Sequence, residues 1–317
     1  MALPAYFNEY KWSNIAAMIR NNRRDPKICT TDFKNRLVVI SGATSGIGYL
    51  TARKFASKGA DLLCINRNQQ KSEASKREIE REFGVSYDYK IADLSNLKDI
   101  EQVAGDLSKL EKLIDVLIHN AGTYLTRKEL TSEGFDKVFM VNHLSSFMIN
   151  ILLCEKFKSQ KKGRIILVNS EGHRFAAWGL RLDDLNWEKR HYSGLKSYGS
   201  AKLAQLLSMH LFADYFKPSG ITINAMHPGA VRSETGKDNG PVYRWIKKHL
   251  FDKTLRPTEI SAESIYYLAV SDEIEGISGK FFNLTTEEIP APPALDREAA
   301  NELWAKSLEM TGLKDIF

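Results

Sequence analysis

Tyr198 and Lys202 are the residues whose types and spacing most directly suggest chemistry. They stand four positions apart in the stretch Tyr-Gly-Ser-Ala-Lys, so a helix would place both side chains on one face, one turn apart. A free phenol has a pKa of about 10, too high for efficient proton exchange with an alcohol at neutral pH, and a neighbouring ammonium group stabilises the phenolate. The pair therefore predicts an acid/base centre, although a Tyr and a Lys at this spacing also occur on ordinary helix surfaces.

Two further polar residues stand where a substrate could be bound. Ser170 ends a predicted strand that begins at residue 164, at the carboxyl edge where open α/β sheets bind their ligands. Its hydroxyl is suited to bind and polarise a substrate carbonyl. Asn142 lies within a predicted helix, where a side-chain amide competes with the backbone unless it has a partner. Both residues are therefore candidates for the site of the Tyr–Lys pair.

A glycine-rich turn follows the first predicted strand. Gly42, Gly46 and Gly48, with Ser45 and Ile47 among them, form the pattern Gly-x-x-x-Gly-x-Gly at the start of a predicted helix. Glycine lets the backbone approach a pyrophosphate closely, and a helix N-terminus offers it unpaired N–H groups and partial positive charge. The turn therefore predicts a dinucleotide site, and a tight turn that binds nothing is the alternative. No Gly-Lys-Ser/Thr follows, which disfavours a P-loop nucleoside triphosphatase.

The end of the second predicted strand bears on the choice between the two nicotinamide cofactors. A carboxylate at this place hydrogen-bonds the ribose 2′-hydroxyl of NAD(H) and repels the 2′-phosphate of NADP(H). Asn66 stands where the acid would be expected, and Arg67 supplies a guanidinium suited to bidentate contact with phosphate. The sequence therefore predicts NADP(H), and a solvated loop arginine is the alternative for Arg67.

The elements that must position these residues alternate along the chain. From Leu37 onward, short apolar runs alternate with charged, amphipathic stretches, which is typical of βαβ units and a parallel sheet. The predicted strands cover residues 37–41, 61–65, 87–91, 116–119, 164–169, 221–226 and about 280–283. The predicted helices cover residues 47–58, 69–83, 96–110, 131–158, 196–216 and 258–270. The pattern predicts an α/β fold with a single doubly wound Rossmann-type parallel sheet of about seven strands and helices on both faces.

This pattern predicts one large domain with an extension at each end. Residues 1–36 form an N-terminal arm, residues 37–290 the dinucleotide-binding catalytic domain, and residues 291–317 a C-terminal tail. Within the domain, residues 171–197 and 234–257 are candidate flaps over the site, because both are long connections that carry aromatic side chains. Apolar walls suit a small lipophilic alcohol or carbonyl substrate, although aromatic residues in an insertion also pack the insertion itself.

The composition excludes several classes of protein. The chain has 317 residues, 43% hydrophobic and 26% charged, which excludes a disordered or collagen-like chain. No apolar run approaches the roughly 18 residues needed to span a bilayer, and the N-terminus lacks the pattern of a secretory signal. Three scattered cysteines are too few for a disulfide framework or a metal cage. We therefore expect no metal, and an intracellular, cytoplasmic protein with reduced thiols.

The net charge of +6 is concentrated in two segments. Residues 1–36 hold seven Lys or Arg against three Asp or Glu, and residues 241–256 hold five against one. Both segments carry apolar residues at helical spacing, and a basic amphipathic helix with Trp is typical of peripheral contact with an anionic membrane. We expect either membrane contact through residues 1–20 and 241–256 or ordinary packing of these helices. No motif that reads a nucleic-acid groove accompanies the charge, so we expect no nucleic-acid partner.

Taken in order along the chain, these motifs resemble those of the short-chain dehydrogenase/reductase family, from about Leu37 to the C-terminus. The matching residues are Gly42, Gly46 and Gly48, Asp93-Leu94, Asn120-Ala121-Gly122, Asn142, Ser170, Tyr198 and Lys202, and Pro228-Gly229-Ala230-Val231. The sequence departs from the family at Ser41, where Thr is usual, at His119, where a first Asn is usual, and at Asn169, where a second Ser is frequent. None of these departures removes a reactive group.

The resemblance implies a role for each matching residue. Tyr198 would be the acid/base, and Lys202 would bind the ribose and lower the pKa of Tyr198. Ser170 would orient the carbonyl, and Asn142 would hold a water relay. The remaining positions would contact the cofactor, with Asp93 and Leu94 at the adenine, Asn120, Ala121 and Gly122 beside the cofactor, and Pro228, Gly229, Val231 and Ser233 beside the nicotinamide.

Within the family, several stretches look most like the retinol dehydrogenase-like group. They are residues 131–135, 141–144, 169–173 and 279–282 and the tail around Trp304. The resemblance implies hydride transfer between NADP(H) and an alcohol/carbonyl pair, with a retinoid as one candidate substrate beside steroids and fatty aldehydes. The alternative is a catalytically weak NADP(H)-binding sensor or scaffold on the same fold. The sequence leaves open whether the chain forms a homo-oligomer.

Overall fold

The strand order of the central sheet determines where a ligand can bind. A computed structural model describes residues 6–231, 239 and 255–317. The strands are β1 (Leu37–Ser41), β2 (Asp61–Asn66), β3 (Tyr87–Ile91), β4 (Ile114–His119), β5 (Gly163–Val168), β6 (Ile221–His227), β7 (Phe281–Asn283) and β8 (Thr286–Glu287). They form one sheet in the order β3-β2-β1-β4-β5-β6-β7-β8. The order reverses direction between β1 and β4, and ligands bind outside the carboxyl ends of the strands at such a point.

The predicted doubly wound parallel sheet is confirmed, with one strand more than expected. The first seven strands pair in parallel, and β8 runs antiparallel to β7. All residues of β1 and β6 are buried, which explains their continuous apolar runs, because helices cover both faces of a parallel sheet. The short strand β8 was not predicted, since two residues give no alternating pattern.

Helices cover both faces of the sheet. In chain order they are α1 (Trp12–Asn21), α2 (Gly46–Ala56), α3 (Gln69–Phe83), α4 (Leu97–Ser108), α5 (Lys137–Phe139), α6 (Ser145–Leu152), α7 (Cys154–Gln160), α8 (Gly194–Phe216), α9 (Glu259–Val270) and α10 (Arg297–Thr311). Those predicted at 69–83, 196–216 and 258–270 agree with α3, α8 and α9 to within two residues. Short 3₁₀ helices connect several of these elements.

The helix predicted over residues 131–158 is wrong in its extent. It begins only at Lys137, because the Asp136 carboxylate accepts a hydrogen bond from the N–H of Phe139 and caps the first turn. Residues 140–144 then form a π-helical turn between α5 and α6, and the chain bends at Leu153 before α7. The π turn matters for function, because Asn142 lies in it.

Two apolar clusters fill the two faces of the sheet, and residues 291–317 contribute to one of them. Trp304 of α10 is 4% exposed. Its ring lies 4.9 Å from that of Phe147 on α6 and 4.7 Å from that of Phe212 on α8, centroid to centroid. Such edge-on aromatic contacts stabilise the packing beyond the area they bury. Helix α10 thereby fixes α8, which carries the Tyr–Lys pair.

The N-terminal segment lies along the protein near the end of β5. The phenol of Tyr6 donates to the carboxylate of Asp296, and that of Tyr10 donates to the carbonyl of Ala177. Among the described residues, no single helix is long and apolar enough to cross a membrane, and the one pair of helices that passes together by composition, 137–152 and 154–160, is bent by 53°. Most of the candidate flap 234–257, and residues 241–254 of the predicted basic segment, lie outside the described residues.

Candidate active site

The predicted acid/base pair, Tyr198 and Lys202, lies where β5 meets α8. Tyr198 and Lys202 share one face of α8, and the Lys202 Nζ lies 5.8 Å from the centroid of the Tyr198 ring. The ammonium donates to the backbone carbonyl of Val168, the last residue of β5, at 2.9 Å. Because this contact fixes the Lys202 side chain, the helix and the carboxyl end of the strand form a single support for the pair.

Lys202 is buried, and this changes its proton affinity. The residue is only 3% exposed, and burial lowers the pKa of its amine to about 7. Near neutral pH the amine is therefore present both with and without its proton. A charged form stabilises a phenolate, and a group that titrates near the working pH is suited to pass a proton on.

The Tyr198 ring is held by a glycine and a second tyrosine. A Cβ atom on Gly172 would lie 2.7 Å from Tyr198 Cε1 and 3.2 Å from Ser170 Oγ, so only glycine fits between them. On another side, the Tyr124 ring packs edge-on at 5.9 Å between centroids. Ser170 and Tyr198 thus both lie against the same glycine, which places both hydroxyl-bearing side chains in one site.

Asn169 fastens this arrangement, a role that sequence reasoning missed. Its Oδ1 accepts from the N–H of Ser170 at 2.8 Å, while its Nδ2 donates to the carbonyl of Lys202 and to Gln205 Oε1, both at 2.9 Å. The side chain is 2% exposed. The sequence did show that Asn169 stands where the family frequently has Ser, but it did not indicate which groups the Asn169 side chain would bond.

Asn142 faces the same site from the π turn. Its Nδ2 donates to the carbonyls of Val138 and Thr123, both at 2.8 Å, and its buried Oδ1 has no hydrogen-bond partner in the part of the chain that the structure describes. A Cβ atom on Gly122 would lie 2.8 Å from this Oδ1 and 3.8 Å from Lys202 Nζ. The amide oxygen and the ammonium therefore both lie close to Gly122, and the four polar residues predicted for catalysis come together at this edge of the sheet.

The glycine-rich turn packs tightly on the start of α2. Gly42 and Gly46 have positive φ angles of 73° and 55°, in the left-handed region that favours glycine. A Cβ atom on Gly48 would lie 2.1 Å from the Gly42 carbonyl oxygen, so no other residue fits there. The neighbouring Ser45 precedes α2 without capping it through its side chain, and Ile47 is partly exposed in the first turn. A helix start of this shape fits a pyrophosphate.

The turn after β4 holds the glycine-rich turn in place. The Nδ2 of Asn120 donates to the carbonyls of Ser41 and Gly42 at 3.0 and 2.9 Å, and the N–H of Ala121 donates to Ser41 Oγ at 3.0 Å. Residues 120–122 thus contact the glycine-rich turn through Asn120 and the predicted acid/base centre through Gly122, which lies beside Asn142 and Lys202. A dinucleotide that spanned these elements would reach both.

The residues predicted to contact the adenosine half line the ends of β2 and β3. The Oδ1 of Asn66 accepts from the N–H of Ala43 at 2.8 Å, so this amide supports the glycine-rich turn, and Arg67 beside it is exposed. The carboxylate of Asp93 accepts from the N–H and hydroxyl of Ser95 within its own turn. Leu94 next to it is buried. The end of β2 therefore presents an amide, Asn66, where an NAD(H)-binding carboxylate would be expected.

The segment after β6 lies at the same edge of the sheet. The carbonyl of Pro228 accepts from the hydroxyl of Ser261 at 2.6 Å, and Gly229 has a φ of 86°. Val231 is buried and bridges Arg256. Ser233 lies outside the described residues. Pro228, Gly229 and Val231 therefore lie at the carboxyl edge of the sheet, where the resemblance placed the nicotinamide.

The chain is similar to known dehydrogenases over most of its length. Residues 36–179 match the protein family described as short chain dehydrogenase. The chain is 34% identical to retinol dehydrogenase 13 of Homo sapiens over 289 residues, which cover 88% of this chain and 85% of that protein. In the fold, it is similar to an uncharacterized protein from Mycobacterium Paratuberculosis, at a TM-score of 0.70 and 28% identity, covering 90% of this chain and 96% of that one.

A second solved structure is similar in fold and contains a cofactor. L-sorbose reductase from Gluconobacter frateurii, complexed with NADPH and L-sorbose, has a TM-score of 0.63 and 20% identity over 80% of this chain and 95% of that one. At this identity the likeness shows the fold alone. The matched family, short chain dehydrogenase, agrees with the strand order and the glycine-rich turn. It also agrees with the polar residues at the carboxyl edge of the sheet.

Proposed function

Because the chain belongs to the short-chain dehydrogenase/reductase family, whose members are oxidoreductases that use a nicotinamide cofactor on alcohol and carbonyl groups, we propose that it is an NADP(H)-dependent enzyme for a lipophilic substrate. The observation that carries the proposal is the placement of the Lys202 amine 5.8 Å from the Tyr198 ring, beside Ser170. This arrangement brings a proton carrier, its activating amine and a carbonyl-binding hydroxyl into one site.

The residues of the chain divide the work as follows. Ser170 binds the substrate oxygen and orients the carbonyl, while Tyr198 gives its phenolic proton to that oxygen during reduction and takes it back during oxidation. Lys202 stabilises the phenolate and passes the proton on. The buried Oδ1 of Asn142, for which no described residue supplies a donor, accepts the next hydrogen bond of the relay. When bound, the nicotinamide supplies the hydride.

The preference for NADP(H) rests on the end of β2. The Asn66 side chain is an amide whose oxygen already accepts from Ala43, so it offers no negative charge to repel a 2′-phosphate. Arg67 follows on the exposed side, where a guanidinium can pair with phosphate. The glycine-rich turn, held by Asn120, would bind the pyrophosphate, and Asp93 and Leu94 would lie at the adenine.

A lipophilic substrate is supported by the surroundings of the acid/base centre. The Tyr124 ring packs on Tyr198, and two large apolar side chains of the segment after Ser170, Phe175 and Trp178, are 52% and 54% exposed. Exposed aromatic side chains near a site favour binding of apolar compounds. We include retinoids, steroid ketones and fatty aldehydes, and the similarity to retinol dehydrogenase 13 favours testing retinal first.

We also propose peripheral membrane contact through residues 1–20 of a cytoplasmic protein. On α1, Trp12 is 84% exposed and Ile19 is 48% exposed, so much of the apolar stripe is not packed on the protein. Four basic residues in or next to the helix are also exposed, Lys11, Arg20, Arg23 and Arg24. Apolar and basic side chains on one helix suit an anionic lipid surface. A reducing compartment is supported by the three cysteines, which are free and buried.

The experiment that tests the proposed function is a substrate panel. Oxidation of NADPH by the full chain is followed with retinal, a steroid ketone, a long-chain aldehyde and a small quinone, and with NADH in place of NADPH as the cofactor control. We expect turnover with at least one lipophilic carbonyl and slower turnover with NADH. Tight NADPH binding without turnover on any compound would support the sensor or scaffold alternative instead.

A further inference from the structure

The segment after β5 determines where Ser170 and Tyr198 lie. Ser170 starts the 3₁₀ helix Glu171–Ala176, and its hydroxyl accepts from the N–H of Gly172 at 3.0 Å. Gly172 contacts the Tyr198 ring so closely that no side chain fits. A small displacement of this helix would therefore move the hydroxyl that binds the carbonyl and the surface on which the phenol packs.

A largely buried charge cluster joins this helix to Glu288, the residue after β8. Arg174 donates from Nε to Glu171 at 2.5 Å and from Nη2 to Glu288 at 3.0 Å, and the exposed fractions of the Arg174, Glu171 and Glu288 side chains are 17%, 14% and 2%. Two carboxylates thus share one guanidinium. Glu171 Oε1 is buried without a hydrogen-bond partner among the described residues, and burial together with the nearby Glu288 raises the pKa of Glu171, while Arg174 opposes this shift.

The cluster continues to the N-terminal helix. The Nδ2 of Asn21, the last residue of α1, donates to Glu288 Oε2 at 2.9 Å, and the Nδ2 of Asn283 donates to the same oxygen at 3.3 Å. Asn283 also donates to Asn22 Oδ1 at 3.1 Å. Glu288 is therefore the junction between the arm, the β7–β8 turn and the helix that starts at Ser170.

Packing alone does not explain why these three charged side chains are buried together. Buried ion pairs lose the hydration of each charge, and apolar residues of similar volume often stabilise a fold equally well or better. Here the three charged groups connect the acid/base centre with a segment that lies 150 positions earlier in the chain, from Asn21 to Glu171. A rigid, directional connection of this kind suits the positioning of a catalytic side chain.

We propose that Glu171 is a positioning residue that holds the Ser170 helix, through Arg174 and Glu288, against the N-terminal helix α1, so that the arm contributes to the geometry of the acid/base centre. This inference rests on the proposed function, since it concerns the same site. Glu171 acts through Arg174, because its carboxylate accepts from the Nε of that guanidinium.

Kinetics of a double-mutant cycle test the coupling. Glu171→Gln removes the charge that pairs with Arg174, and Asn21→Ala removes one donor from Glu288 at the other end of the cluster. We expect each variant to lower kcat about three- to tenfold with the KM for NADPH unchanged. The double variant should be little slower than the slower single variant, because both changes break one connection. Glu287→Gln is the matched control, since that neighbouring carboxylate pairs with Lys280 at the surface.

Hydrogen–deuterium exchange of the full chain gives a readout that does not need turnover. Faster exchange across residues 170–177 is expected in Asn21→Ala and in Glu171→Gln, but not in Glu287→Gln. If Glu171→Gln folds poorly, Asn21→Ala alone decides, because it removes no charge and breaks a single hydrogen bond of the cluster, the one to Glu288. Wild-type kcat and exchange in Asn21→Ala, or additive losses in the double variant, would overturn the inference. Absence of turnover in the wild-type protein would instead reject the proposed function, while the exchange data would still decide the coupling.

Discussion

The side-chain amide of Asn169 donates to the backbone carbonyl of Lys202 at 2.9 Å, and so joins the end of β5 to the helix of the acid/base pair. The same side chain accepts from the N–H of Ser170. One residue therefore fixes the distance between the strand end that carries Ser170, the proposed carbonyl-binding residue, and the helix that carries Tyr198, the proposed proton carrier. We therefore expect both the free energy of unfolding and the turnover number to depend on Asn169.

Asn169→Ala should lower both the free energy of unfolding and kcat. The change leaves the Lys202 carbonyl, Gln205 Oε1 and the Ser170 N–H without their partner, and each unpaired buried group costs about 1–3 kcal/mol. Urea unfolding and turnover with the best panel substrate measure the two effects. Gln160→Ala is the control, because this side chain bonds both the N–H and the carbonyl of Ile114 at the amino end of β4, away from the carboxyl edge, and its loss should reduce stability alone. A normal kcat in Asn169→Ala would show that the connection does not position the site.

Arg67→Asp should shift the cofactor preference toward NADH. A carboxylate after β2 repels the 2′-phosphate, so the Kd for NADPH should rise by roughly tenfold or more while the Kd for NADH changes little. Fluorescence titration of both cofactors measures the shift. Arg81→Asp makes the same charge change on the exposed end of α3 and should leave both affinities as they are. If NADPH binds equally well to Arg67→Asp, another cation holds the phosphate.

Lys202→Met should affect the free energy of unfolding in a pH-dependent way. The pKa of Lys202 is lowered from 10.5 to about 7 in the folded chain, so between these values the unfolded chain binds a proton that the folded chain does not. Stability from this group therefore rises as the pH rises from 7 to 10.5, and below 7 the wild-type protein bears the full cost of a buried charge. The variant avoids this cost.

The stability of Lys202→Met relative to the wild-type protein should accordingly fall as the pH is raised from 6 to 9.5. The lost hydrogen bond to Val168 lowers its stability by the same amount at every pH. Thermal unfolding at several pH values gives the comparison. Lys196→Met, at an exposed position of the same helix, should show no such trend. A constant difference between Lys202→Met and the wild-type protein would mean that Lys202 stays charged across this range.

Trp12→Glu should weaken binding to vesicles that contain anionic lipid. Trp12 is almost fully exposed on α1, and a carboxylate there both removes apolar contact and repels the lipid headgroups. Sedimentation with such vesicles measures the bound fraction. Leu113→Glu, at an exposed position before the amino end of β4, is the matched control and should bind as the wild-type protein does. Equal bound fractions for Trp12→Glu and the wild-type protein would exclude α1 as the contact.

The parts of the fold that depend on local periodicity could be predicted from the sequence. The sheet, helix α3 and the shared face of Tyr198 and Lys202 follow from apolar runs and from the 3.6-residue turn. The strand β8, the start of α5 at Lys137 and the π turn around Asn142 could not, because two-residue pairings and irregular turns leave no repeat. The hydrogen bond from Asn169 to Lys202 joins residues far apart in sequence, and no local pattern names such a partner.

Transfer of deuterium tests the central claim, that Tyr198 and its amine carry the proton of a hydride transfer. The full chain and Tyr198→Phe are each supplied with NADPH labelled with deuterium at C4 of the nicotinamide and with the best carbonyl substrate, and the product is analysed by mass spectrometry. Titration of NADPH confirms that the variant still binds it, since Phe keeps the ring that packs on Gly172.

We predict that the wild-type protein forms an alcohol with one deuterium on the former carbonyl carbon. In Tyr198→Phe, the rate of labelled product should fall by orders of magnitude at an unchanged Kd for NADPH, because the proton donor is gone while the cofactor contacts remain. Labelled product formed by Tyr198→Phe at the wild-type rate would contradict the account.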